Sequence, residues 1–519
     1  MKTKGKKRRL ALLLVLMMAL TAIAGCQKAG KDPETNASNA EQTEGIKETA
    51  GTGGAAASEE PYELRMIITV PSEVPSDLER IVAAVNEVTQ KDLNITLKFE
   101  ILPFSTFFQQ LPLILSGEKV DIISCVSAMA PSYIKEGMLL DIGPLMDQYG
   151  QGIVDSFGGS EEMARACNLN GLIYGVPLHK DTATQNTIFF RTDILEKHNL
   201  DVSGIKSLAD LDAFFEQVSK LEPDMWMLAP DNTGNGVLEP VDVLNDRNGV
   251  LIDPANSTEV VNLVETDAFR EFCGYMFKWY QNGWINTGAA SDSESYYSYI
   301  KSGQAFAFLS SYGHPLSESD QEANCGGVDL TKVVIDDPLC STSSMCTWVY
   351  CVAASSEKPE KAVEMISYMM NSPEINNLLN WGIEDEDWVY EDEAAGIITY
   401  PDGVTAENAK YHLDTGWQLP NQFLCHVWSG NDPDIYQKME EYNNSAVKSN
   451  ALGFTFDSSG VANEMAACSN VTGKYFKALI CGAVDPEETI PVFVQELKDA
   501  GIDVIIAEKQ KQLDVFLAK

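Results

Sequence analysis

The segment Asp231-Asn232-Thr233-Gly234-Asn235-Gly236, with Glu239 and Asp242 beyond it, is the stretch of this chain nearest to a metal-binding loop. Asp231 would take position one, Asn235 position five, Gly236 the turn and Asp242 the closing position of a calcium site. Thr233 stands where Asp or Asn is usual, and Asp242 is shorter than the bidentate Glu that ends such a loop. With 76 Asp and Glu in 519 residues such matches arise by chance, so the segment reads as a polar turn and no metal or cofactor is expected. The same abundance empties Glu384-Asp385-Glu386-Asp387 of meaning as a catalytic signal. Glycoside hydrolysis needs two carboxyls about 5 to 10 Å apart, and here pairing carries little information. The histidines (His179, His198, His314, His412 and His426) show no ligand spacing. No G-x-S-x-G elbow, H-E-x-x-H helix or P-loop is present. An enzyme is not expected.

Cys26 is the one cysteine with a distinctive setting. Lys2, Lys4, Lys6, Lys7, Arg8 and Arg9 form a basic head, Leu10 to Ala24 is uncharged, and Ile23-Ala24-Gly25-Cys26 closes the run. This is an export signal, too short for the roughly 20 apolar residues of a membrane-spanning helix. Its end resembles the bacterial lipobox, which implies cleavage after residue 25 and a lipid on Cys26. Residues 26–60, rich in Gly, Ala, Ser, Thr, Glu and Lys, cannot bury enough surface to order and read as a tether with a reach on the order of 30 Å. The other cysteines (Cys125, Cys167, Cys273, Cys325, Cys340, Cys346, Cys351, Cys425, Cys468 and Cys481) form no C-x-x-C and lack zinc spacing. They read as reduced, buried thiols, although export leaves disulfides open. The formal net charge of −39 argues against nucleic acid and against docking on anionic lipid. It says little about a neutral ligand such as a sugar.

The elements come next. Tyr62 to Val70 and Asn94 to Ile101 alternate like strands, Ser76-Asp77-Leu78-Glu79 has the capping-box pattern of a helix start, a Phe- and Leu-rich helix spans about Ser105 to Leu115, and Val120 to Val126 is a third strand. That β-α-β-α-β order predicts a parallel sheet covered by helices on both faces. Thr187 to Arg191, Trp226 to Ala229, Ala305 to Leu309 and Lys332 to Ile335 predict a second sheet. Helices are expected over Ser207 to Leu221, with Ser207 as cap, and over Asp267 to Gln281. Thr347 to Ala353 is a further strand, followed by a helix from Pro359. The remainder carries helical patterns near Asp432 to Ser445, Gly460 to Leu479, Glu487 to Ala500 and Asp503 to Leu517. The fold class expected is α/β: two lobes with a ligand cleft between them and a helical C-terminal segment. The first lobe is assigned to residues 61–180 and the second to 181–345. Residues 346–519 return to the first lobe and add the C-terminal helical domain.

Tyr133-Ile134-Lys135-Glu136-Gly137-Met138-Leu139-Leu140-Asp141-Ile142 and Gly171-Leu172-Ile173-Tyr174-Gly175-Val176-Pro177 resemble the extracellular solute-binding proteins of ABC importers, in particular the sugar-binding group. Ser302-Gly303-Gln304-Ala305-Phe306-Ala307 and Lys358-Pro359-Glu360-Lys361-Ala362 continue the resemblance. Asn380-Trp381-Gly382-Ile383-Glu384, Asn421-Gln422-Phe423, Ala451-Leu452-Gly453-Phe454-Thr455-Phe456-Asp457 and the tail from Ala507 to Asp514 are similar to the LipO-type branch, with its additional C-terminal domain of unknown function. The resemblance implies a two-lobed periplasmic-binding-protein fold at the outer face of the cell membrane. It implies a monomer that captures a solute, often an oligosaccharide, and delivers it unchanged to membrane permease subunits.

A sugar site wants flat aromatic walls and a few convergent polar groups. Trp226 lies beside a strand of the second lobe. Tyr312, in Ser310-Ser311-Tyr312-Gly313, matches a turn that in the relatives carries a cleft aromatic, and these two form the favoured pair. Lys180 and Asp181 follow the Val176-Pro177 turn near the crossing between lobes. Trp348, Trp381 and Trp428 lie where the returning chain could cover the site, and any single tryptophan serves core packing equally well. Trp279 and Trp284 read as structural. Two other functions fit the leader: an extracellular glycan-acting enzyme, and an adhesion or sensory lipoprotein.

Overall fold

The computed structural model describes residues 60–70, 74–230, 234, 236–291 and 294–518. Cys26 with its leader and tether, and Asp231 and Asn235 of the calcium-loop candidate, lie outside the described residues. The main elements begin with β1 (Tyr62–Val70), α1 (Leu78–Leu93), β2 (Ile95–Pro103), α2 (Phe104–Gly117), β3 (Ile122–Val126) and the short β4 (Val176–Pro177). They continue with β5 (Thr187–Arg191), α3 (Leu208–Leu221), β6 (Trp226–Ala229), α4 (Asp267–Gln281), β7 (Ala305–Ser310), α5 (Ser317–Asn324), β8 (Leu330–Val334) and β9 (Trp348–Val352). After these come α6 (Pro359–Met369), α7 (Pro373–Trp381), β10 (Val389–Asp392), β11 (Ile397–Thr399), β12 (Val427–Trp428) and α8 (Ile435–Ser445). Three helices close the chain: α9 (Ala462–Ile480), α10 (Pro486–Ala500) and α11 (Ile502–Leu517).

The first sheet has the order β2-β1-β3-β9-β4, with β1 parallel to both neighbours and β9 antiparallel to β3 and β4. The alternation of Ile95, Leu97, Phe99 and Ile101 buries one face of β2, whereas the central β1 is buried continuously from Met66 to Val70. The expected capping box at Ser76 does not form. Asp77 is the cap residue of α1 and makes no side-chain cap bond, because its carboxylate turns to Arg80 at 2.9 Å, and Ser76 Oγ donates to the Lys410 carbonyl at 3.4 Å. Ser207 does cap α3, accepting from the Asp210 amide at 3.2 Å.

The second sheet has the order β8-β5-β7-β6, with only β7 and β6 parallel. Its main core joins α3 (Leu211, Phe215) to α4 (Phe269, Trp279). Trp279 is fully buried and donates to Asp212 at 3.0 Å. The same core takes in Phe476, Phe493 and Leu513 of the three closing helices. Phe269 stacks on Phe476 at 5.7 Å, and Gly482 lies so close to α4 that a Cβ there would stand 2.1 Å from the Met276 carbonyl. The C-terminal helices are therefore part of the second lobe's hydrophobic core.

Three stretches of chain cross between the lobes side by side. Thr184 and Leu339 exchange backbone hydrogen bonds of 3.0 and 2.8 Å, and Val447 and Ser449 donate to Pro338 and Cys340. All ten cysteines among the described residues are buried free thiols. No helix of the described residues is long and apolar enough to cross a membrane.

Candidate functional site

The carboxyl ends of the first-lobe strands carry a platform of aromatic rings. Phe104 follows β2 directly, and Trp348 pairs with Val126, the last residue of β3. Their rings stack at 5.7 Å with 7° between planes. Trp417 joins them at 6.2 Å from Phe104 and 6.0 Å from Trp348, and Phe108 extends the surface with 44% of its area exposed. Trp417 is positioned by its neighbour Gln418, whose side chain accepts from Ser124 Oγ at 2.8 Å and whose carbonyl accepts from Tyr350 at 2.5 Å. Strands β3 and β9 thus hold the turn that bears the ring.

Three residues before Trp417, Asp414 faces the second lobe. Across from it, the chain leaving β7 runs through Tyr312 and His314 into α5, which carries Asp320. Lys332 of β8 anchors this turn by donating to the carbonyls of Gly313 and His314 at 3.4 and 3.1 Å and to Ser317 Oγ at 3.1 Å. Tyr312 is 47% exposed. Asp320 and Asp414 both keep contact with water, yet protein surrounds them, and desolvation raises both carboxyls. Asp320 is pushed up to about 7 by desolvation and then by Asp414 and Asp181, with Lys332 opposing. Tyr436 of α8, raised by burial, also senses Asp414 and Asp320. Both carboxyls are reached by water and lie within electrostatic reach of each other.

The floor is the crossing at His179, Lys180 and Asp181. Lys180 is 6% exposed and its ammonium donates to Asp181 Oδ1 at 2.9 Å, while Asn443 of α8 bonds the Lys180 carbonyl at 2.7 Å. His179 lies between the rings of Phe157 and Phe423. Burial lowers His179, His314 and His412 to about 4 each, so all three are neutral at pH 7. Their Nδ1 atoms, with Thr415 Oγ1 and Gln418 Nε2, are buried without a partner among the described residues. Each such group ordinarily costs about 1–3 kcal/mol, and they collect along the segments that bound this cleft.

The favoured aromatic pair is not brought together. β6 and β7 run parallel and Trp226 pairs with Ala305, so Trp226 begins its strand while Tyr312 follows the far end of the neighbouring one. The two are separated by roughly 20 Å of strand, and Trp226 packs edge-on against Tyr299 at 5.3 Å. Trp348 belongs to the platform. Trp381, 3% exposed, stacks on Trp428 at 5.1 Å in a nest with Trp388, Tyr400 and His412, and this nest backs Asp414. Asp242 is 1% exposed, with one oxygen bonded by Ser449 Oγ at 2.6 Å and the other by the Leu244 amide at 2.9 Å. No cluster of three metal-ligating side chains occurs among the described residues. A separate groove of about 630 Å³, lined by Glu239, Ile252, Val260, Asn262, Glu265 and Ile506 among others, has no aromatic ring in its wall and lies where α11 meets the second lobe.

Residues 73–374 match the bacterial extracellular solute-binding protein family. The chain belongs to this family. Residues 450–518 match a domain of unknown function, DUF3502. A Streptococcus pneumoniae protein named carbohydrate ABC transporter substrate-binding protein is 24% identical over 465 residues, 85% of this chain and 89% of that one. The crystal structure of the N-glycan transport solute-binding protein NgtS of S. pneumoniae superposes with a TM-score of 0.78 at 22% identity, covering 88% of this chain and 99% of that one. The S. pneumoniae substrate-binding protein FusA in complex with kestose gives 0.60 at 16% identity, over 88% and 99%. The fold is thus the two-lobed α/β architecture of solute-binding proteins, with its extracytoplasmic setting.

Asp320 makes the cleft sensitive to pH. Its folded pKa of about 7 lies above the ordinary aspartate value near 4. Between those values the native state binds more protons than the unfolded one, so this group's contribution is present in acid and is lost as pH rises through 7. The groups facing Asp320 are Asp414, Asp181, Lys332 and Tyr436. Asp320→Asn is expected to unfold at a higher temperature than the parent at pH 8, with the gap shrinking at pH 6. Scanning calorimetry of both proteins at the two pH values reads this, and equal gaps would overturn it.

Proposed function

We propose that the interlobe cleft binds an oligosaccharide and that the chain delivers it, chemically unchanged, to the permease subunits of an ABC importer. The observation that carries this reading is the Phe104, Trp348 and Trp417 platform, with Asp414 three residues from Trp417 and within electrostatic reach of Asp320. A sugar ring has an apolar C–H face, which suits the stacked rings, and a rim of hydroxyl donors, which suits carboxylate acceptors. The three side-by-side crossings form a hinge on which the lobes can close around a ligand. The relatives support the class: NgtS has been crystallised in complex with Man1GlcNAc and with Man5GlcNAc. In this reading Tyr312, Trp348 and Asp181 contact ligand or position what does, Lys180 holds Asp181, and Trp381 and Trp428 brace the wall. The chain acts as a monomer tethered through residues 26–60 by a lipid on Cys26. The lobes divide near residues 180 and 345, and the chain crosses back to the second lobe near residue 447.

A thermal-shift screen over mono- and oligosaccharides, peptides and metal ions tests the proposal. Stabilisation by oligosaccharides is expected, and mass spectrometry should recover the bound glycan intact. Stabilisation by peptides alone would sink the carbohydrate assignment, and release of shorter sugars would favour the glycan-cleaving reading instead. Cys26→Ser is expected to move the protein from the membrane fraction to the medium.

A further inference from the structure

The charges around the cleft are one-sided. Asp414, whose side chain is 67% exposed, and Asp320, also exposed, present carboxyls to the space between the lobes, and Asp181 lies within electrostatic reach of Asp320. The cations beside them are committed elsewhere. Lys180 Nζ is held by Asp181 Oδ1 at 2.9 Å and by the Asp181 carbonyl at 3.2 Å. Lys332 Nζ is held by two carbonyls and Ser317 Oγ. His314 and His412, the imidazoles nearest the two walls, are neutral at pH 7. An ionised carboxylate only accepts hydrogen bonds. Above pH 7, where Asp320 is ionised, a ligand group beside this pair must therefore donate, as hydroxyls and amides do, and must not carry negative charge.

We infer that Asp320 and Asp414 make the cleft charge-selective, admitting neutral oligosaccharides and rejecting glycans with a carboxylate or sulfate at that position. The inference rests on the oligosaccharide reading above and deepens it by naming the ligand class. A like charge brought within several ångströms of two solvent-facing carboxylates is partly screened by water and weakens binding by about tenfold.

The test uses the full chain and two probe series of equal length, neutral manno-oligosaccharides and oligomannuronates, titrated calorimetrically at pH 8, above the value of about 7 for Asp320. The expected result is measurable binding of the neutral series and about tenfold weaker binding of the uronates. The Asp320→Asn/Asp414→Asn double variant, and Asp414→Asn alone should the double variant fail to fold, is expected to shrink that ratio severalfold. Raising NaCl should shrink it in the parent as well. Equal affinity of the parent for both series, or an unchanged ratio in the variants, overturns the inference while leaving the oligosaccharide reading intact. If neither series binds and a broader glycan panel also fails, the oligosaccharide reading itself falls.

Discussion

Replacing Trp348 by Ala is expected to weaken oligosaccharide binding roughly 30- to 100-fold while the first lobe stays folded. Trp348 is half-buried, stacked on Phe104 and edge-on to the buried Phe107 at 6.2 Å, with Trp417 and Phe108 beside it. One side of the ring is therefore fixed by the protein, and little entropy is lost when a sugar face lands on the platform. Truncating an aromatic anchor of this kind costs about 2–3 kcal/mol, and each 1.4 kcal/mol is a factor of ten. Trp417→Ala should have an effect of the same order, because that ring is held through Gln418 to strands that the substitution leaves untouched. Trp348→Phe keeps the packing on Phe107 with a smaller face and should fall between the parent and Ala. Trp226→Ala is the control, since that ring lies at the opposite end of the second sheet and should leave affinity unchanged. Titration calorimetry with the best ligand of the screen reads all four variants, with circular dichroism to confirm folding. Parent-like affinity in Trp348→Ala would move the ligand off the platform.

The two sheets were legible because the long strands of the first lobe announce themselves by alternation or by a continuous apolar run, and helix faces repeat at the right period, whereas the two-residue β4 reads as a turn. Edges differ by a few residues: the helix expected over Ser105 to Leu115 spans Phe104–Gly117. Trp226 and Tyr312 lie at opposite strand ends, for a reason the sequence could have supplied. Ligands sit at the carboxyl ends of strands, and Trp226 opens its strand whereas Tyr312 follows one. Trp417 had no such signal. It lies in an irregular stretch without periodicity, and reaches the platform through a hydrogen bond between Ser124 and Gln418, 294 residues apart. Asp320 and Asp414 were hidden by number, for among 76 acidic residues nothing local marks the two that meet across a cleft. Composition found the class of surface, and only the fold could select the pair.

Lys509→Ala is expected to destabilise the second lobe by about 3–5 kcal/mol, the largest loss of stability anticipated for a charged residue here. Lys509 of α11 is 0% exposed. Its ammonium donates to the Gly249 carbonyl at 2.9 Å, lies 3.3 Å from Asp246 Oδ1 and stands 4.9 Å over the Phe456 ring. Burial lowers its pKa, opposed by Asp246 and Asp242, and burial raises Asp242. Removing the ammonium leaves the Gly249 carbonyl without its donor and two carboxylates without their counter-charge, and the truncated stem leaves a cavity. Lys509→Met fills that cavity and isolates the electrostatic part of the loss. Because α9, α10 and α11 share one core with α3 and α4, the parent should unfold its C-terminal helices together with the second lobe in urea. Tryptophan fluorescence from Trp279 and Trp284 would follow the lobe, and far-ultraviolet circular dichroism would follow the helices. In Lys509→Ala the two transitions should shift together or separate, with the helices melting first. An unshifted midpoint would mean that the buried ammonium is compensated elsewhere and that apolar packing alone joins the domain of unknown function to the lobe.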